Sequence, residues 1–178
     1  DWRDETGWRL STTRIAAWAM QWLAAAAPDS PADTLIDFVK LCPRWQDRET
    51  GAFAADVRAL RARQAQVALT HEKVTQLDGL AKLLVLAQRP KTFDDWRQTT
   101  LDALDLAGLW GSGDCPEDIV QLLHVLRADL AGADSARSLR LLPWPVAQAA
   151  DCAQLSRNRF VTWLRGALEA HRYKPNYV

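Results

Sequence analysis

Apolar side chains recur at three- and four-residue spacing along nearly every long segment of this 178-residue chain. That interval places them on one side of a helix, since successive residues turn by about 100°. Ile15, Trp18, Ala19, Trp22, Leu23 and Ala26 line one face of 12–27, and the Ser11-Thr12-Thr13 run supplies a hydroxyl cap in front. No stretch alternates apolar and polar residues over a strand's length with turn signals at both ends. The pattern therefore predicts an all-α fold, an irregular bundle of about six to eight helices.

Starts and stops divide the remainder. Ser30-Pro31-Ala32-Asp33 reads as a second start, with Ser30 at the cap, Pro31 in the first turn and Asp33 against the helix dipole; the helix should stop before Cys42-Pro43. Phe53, Val57, Leu60, Gln64 and Val67 form a narrow stripe, and Val74, Leu77, Ala81 and Leu84 form another after Thr70, together predicting a helical hairpin. Arg89-Pro90-Lys91 interrupts it. Thr92 then caps a helix with Asp95 three residues on, Trp96, Leu101 and Leu104 facing inward, and Gly108 placed to end it in a left-handed turn.

Past the Gly111-Ser112-Gly113 loop, Asp114 with Glu117 reads as the next cap and Pro116 as a first-turn residue. Ile119, Leu122, Leu123, Leu126 and Leu130 make that helix's stripe, with Gly132 as its stop. Leu141-Leu142-Pro143-Trp144-Pro145 forbids a continuous helix through it, leaving room for a short one over 146–153. Ser156 caps a last helix bearing Phe160, Trp163, Leu164, Ala167 and Leu168 on one side, with Lys174-Pro175 as its end.

The length suits one helical domain over 1–178 that needs neither disulfides nor a structural metal. Its apolar runs fall well short of the roughly 20 residues a membrane-spanning helix requires, so no membrane partner is expected. Three widely spaced cysteines, Cys42, Cys115 and Cys152, suit buried thiols in a reducing cytoplasm better than a disulfide framework. His71, His124 and His171 are distant in sequence from the cysteines and from one another, so no metal site is expected. The opening Asp1-Trp2-Arg3-Asp4-Glu5 has neither an initiator Met nor a leader pattern, which suggests a piece of a larger chain.

Twenty-two basic and 22 acidic residues cancel, so no global field steers the chain to a polyanion. The charge is nevertheless segregated. Residues 44–91 hold nine basic and five acidic side chains, 94–134 hold two and nine, and 156–178 hold five and one. Solvated helix faces explain most of this. Asp94-Asp95 and Glu117-Asp118 fall at helix starts, where negative charge offsets the dipole, and are read as capping groups rather than acid–base pairs.

The glycines form neither a GxxxxGK[ST] phosphate loop nor a GxGxxG turn, and no GxSxG elbow occurs. No cofactor is expected, and the chain is not expected to be an enzyme on its own. The candidate nucleic-acid contacts are arginines, which can neutralise phosphates. On the helical wheel Arg58, Arg61 and Arg63 lie about 140°, 80° and 280° from Phe53, so they surround the polar side and do not form a stripe. Arg165 and Arg172 share a side of the last helix at seven-residue spacing, and Arg157 and Arg159 stand at its start, where positive charge opposes the dipole and suggests a partner. Of the nine tryptophans, Trp18, Trp22, Trp96 and Trp163 fit core positions, whereas Trp2, Trp8 and Trp144 lie outside helical periodicity and could seal a junction with a neighbouring domain.

The string Asp4-Glu5-Thr6-Gly7-Trp8-Arg9-Leu10-Ser11-Thr12-Thr13-Arg14 resembles one in bacterial AddB/RecB-type DNA repair proteins, which pair helicase-like domains with a PD-(D/E)XK nuclease. Phe93-Asp94-Asp95-Trp96 through Leu104, Ala107-Gly108-Leu109-Trp110, Ser156 through Leu168, and Tyr173-Lys174-Pro175 resemble the helical region of their second helicase-like domain. The resemblance implies an accessory helical module comparable to the 2B-like insertion of superfamily 1 helicases, with ATP-binding motifs and nuclease carboxylates elsewhere in the parent. The expected partners are the rest of that polypeptide, DNA, and a partner helicase–nuclease subunit. Two other readings are open: a helical protein-interaction module docking through the acidic 94–134 segment and the unplaced tryptophans, and a small helical enzyme with a dispersed site.

Overall fold

Thr13 has extended backbone, and its Oγ1 accepts a hydrogen bond from the Ala16 N–H, so the hydroxyl run ahead of the first helix does cap it. In the computed structural model, which describes residues 7–46, 71–109, 116–131, 138–143 and 154–174, this helix is α1 (Arg14–Ala25). Its apolar stripe is buried as the spacing predicts, including Ile15, Trp18, Ala19, Trp22 and Leu23. Trp18 stacks on Trp22 with centroids 5.9 Å apart and also meets Phe38 at 6.2 Å.

Phe38 belongs to α2 (Ala32–Lys40), which begins one residue later than the sequence suggests. Pro31, not Ser30, occupies the cap and offers no side-chain acceptor; Asp33 sits in the first turn as expected. Proline's fixed φ suits it to the boundary, and no donor is lost there. One turn follows as α3 (Pro43–Gln46). The first arm of the expected hairpin, with Arg58 and Arg61, lies outside the described residues. The second arm is α4 (His71–Leu86), which buries Leu80, Leu83 and Leu84. The Trp22 indole N–H donates to the Leu83 carbonyl at 2.8 Å, tying α1 to α4 with a buried hydrogen bond.

Helix α5 (Phe93–Leu106) starts where Thr92 Oγ1 accepts the Asp95 N–H. It stops at Gly108, whose φ of +70° is the predicted left-handed turn. A Cβ at Gly108 would lie 3.3 Å from Arg44 Cβ, so the turn also lets α3 approach. Helix α6 (Glu117–Leu126) has Pro116 at its cap instead of inside its first turn, and Asp114 lies outside the described residues. Nor does α6 run on through Leu130 to Gly132. Arg127 turns left-handed at φ 49°, and the chain enters an antiparallel ladder, β2 (Ala128–Ala131) with β3 (Ser138–Leu141).

The last helix, α7 (Arg157–Ala170), is capped by Ser156 as expected and buries Phe160, Leu164 and Leu168. It ends at Ala170, four residues before Lys174. His171 is extended, and Arg172–Tyr173 form β4, which pairs with β1 (Trp8–Arg9). The fold is thus all-α, with seven helices and two small ladders among the described residues. Helices α5 and α7 are joined by a ring cluster: Trp96 stacks on Phe160 at 5.0 Å, and Phe93 meets Trp163 edge-on at 4.6 Å. Trp96 also donates its indole N–H to the Leu155 carbonyl, beside the Lys91–Leu155 bridge.

Arg97, next to Trp96 near the start of α5, joins that helix to the end of α6. Its side chain is 1% exposed. Nε donates to the Leu126 carbonyl at 2.7 Å, and Nη2 donates to those of Arg127 at 2.9 Å and Leu142 at 2.8 Å. Nη1 donates to Asp94 Oδ1 at 2.6 Å. One planar guanidinium therefore satisfies the end of α6, the left-handed turn and the strand that returns to it, where its charge also suits the negative end of the α6 dipole. Arg97→Ala should lower unfolding free energy by about 3 kcal/mol, because several carbonyls lose a charged donor together. Arg97→Lys should recover only part of this, since an ammonium lacks the fork. Urea denaturation followed by circular dichroism measures both, and a loss under about 0.5 kcal/mol for the alanine variant, the range of an ordinary surface change, would refute the assignment.

Candidate interaction surface

Gly7 gives the N-terminal strand its approach. It has φ +67°, and a Cβ there would stand 3.2 Å from the Tyr173 carbonyl oxygen, so a side chain would press on the backbone it faces. The chain then pairs Trp8 with Tyr173 and Arg9 with Arg172 in antiparallel register. The Leu10 N–H continues the pairing by donating to the His171 carbonyl at 3.0 Å. Leu10 itself is fully buried. Thr12 Oγ1 donates to the Arg9 carbonyl and Thr13 Oγ1 to that of Leu10, both at 2.8 Å, fixing the turn into α1.

Between Gly7 and Thr13 the side chains that project into solvent at the ladder are those of Trp8, 52% exposed, and Arg9. Pleating puts Trp8 and Tyr173 on one face of the ladder and Arg9 and Arg172 on the other. Tyr173 is half-buried against the core, whereas Arg172 and Lys174 are exposed. Arg172 was expected on the last helix beside Arg165. The strand takes it off that helix because the His171 carbonyl is engaged by Leu10 and can no longer belong to a helical turn.

The other predicted contacts separate. Arg157 donates through Nη1 to the Ala26 carbonyl at 3.1 Å, just beyond α1. Its charge, unfavourable at the start of its own helix, is favourable at the negative end of another, so the partner suggested by its position is internal. Arg159 and Arg165 are exposed on α7. The structure therefore does not gather Arg157, Arg159, Arg165 and Arg172 into one stripe. Arg9, which sequence periodicity did not single out, is the arginine set directly across from Arg172.

Comparison with protein-family models, curated proteins and solved structures finds no match.

Several acids of the 94–134 segment have internal work. Asp94 pairs with Arg97, and Asp102 accepts from Gln98 Nε2 at 2.8 Å. Asp118 accepts from its neighbour Ile119 through Oδ1 and from the Ile15 N–H, at 3.3 Å, through Oδ2. A first-turn carboxylate of α6 thus caps the start of α1 as well, a role that only the tertiary fold can reveal. Among the described residues no group of three or more His, Cys, Asp or Glu is placed to hold a metal ion. Within the same residues no helix is long and apolar enough to cross a membrane.

Two titratable groups are perturbed. Burial pushes the Cys42 thiol up to about 12, against the smaller opposing influence of the Trp18 indole N–H and Arg14. At neutral pH Cys42 is a protonated, buried thiol and not a nucleophile. His171, far from His124 in sequence, is brought near enough in the fold for the two charges to repel. Burial first and His124 second hold the His171 pKa below its ordinary 6.5. Its Nε2 lies 2.7 Å from Gln121 Oε1, joining the end of α7 to α6.

A depressed histidine pKa means that the unfolded chain takes up its proton first as pH falls. The contribution of neutral His171 to stability is fully present above pH 6.5 and is lost as pH drops from 6.5 through the folded-state value. Melting temperature should therefore fall on acidification from about pH 7.5 to 5.5, and less steeply in His171→Gln. Equal slopes in the two proteins would show that His171 is not the group responsible.

Proposed function

We propose that this chain is a non-catalytic helical domain of a helicase/exonuclease-like DNA repair protein, acting in the cytoplasm to position DNA or to pack against sister domains. One observation carries the reading. The described parts of the stretches that resemble those proteins, far apart in sequence, pack against one another. The first pairs with the last through Trp8–Tyr173 and Arg9–Arg172, and the middle one meets the last through Trp96–Phe160 and Phe93–Trp163. In this reading ATP hydrolysis and strand cleavage belong to other parts of the parent protein, and this domain supplies rigid surface.

The DNA-contact form of the proposal has a direct test. Fluorescence anisotropy with tailed duplexes, measured across salt, should give log affinity falling linearly with log salt, by about 0.7 to 0.9 per phosphate engaged. Absence of binding even near 50 mM salt, where phosphate contacts are strongest, would contradict DNA contact and leave the packing role.

A further inference from the structure

We draw no further inference here: the strongest candidate, the outer face of α7 on which Thr162, Gly166 and Ala170 lie exposed at four-residue spacing, is a stripe of small residues, and nothing in the structure shows what covers it.

Discussion

At the end of α6 the carbonyls of Leu126 and Arg127 meet the buried Arg97 guanidinium. A helix ordinarily leaves its last carbonyls to a glycine turn or to solvent. Here Leu126 and the left-handed Arg127 pass theirs to a side chain 29 and 30 residues earlier, and Leu142 adds a third from the returning strand. The β2–β3 ladder, α6 and α5 are thereby joined through one side chain. Arg97 is held in turn by Asp94, an exposed side chain one turn earlier on its own helix.

Much of the fold follows from local signals because those signals operate within one helical turn. Thr13, Thr92 and Ser156 each accept a backbone N–H three residues on, and each lies where the sequence places a cap. Gly108 turns left-handed for the reason that glycine can. What local signals miss is decided across long separations. Leu130 follows Leu126 at a perfectly helical interval, yet Arg127 breaks the helix, because the Arg97 fork compensates a left-handed arginine that no nearby residue would favour. Arg172 follows Arg165 at helical spacing too, but Leu10, near the opposite end of the chain, takes the His171 carbonyl and pulls the segment into a strand.

The candidate surface was only half legible for the same reason. Composition marks Trp8 as unplaced and Arg172 as a cation, but the register that sets Trp8 across from Tyr173 and Arg172 across from Arg9 depends on pairing the two ends of the described chain. Arg157 shows the opposite error: its charge looks misplaced within α7 and proves to be a distant cap for α1. Helix ends in this molecule are repeatedly completed from elsewhere, by Asp118 for the start of α1, by Arg157 beyond its end and by Arg97 for the end of α6. Such exchanges tie the start of α1, the residue beyond its end and the end of α6 to distant parts of the chain.

The central claim is that this exchange of caps, with Arg97 at its hub, makes the helices a single cooperative unit. Native-state hydrogen exchange followed by NMR tests it at the Arg97 Nε–H and at the Leu142 amide, which donates to the Arg127 carbonyl. The account predicts that both protons exchange only with global unfolding, at the same free energy as amides inside α1 and α5. Exchange of either at the rate of an exposed arginine or a free loop would contradict it.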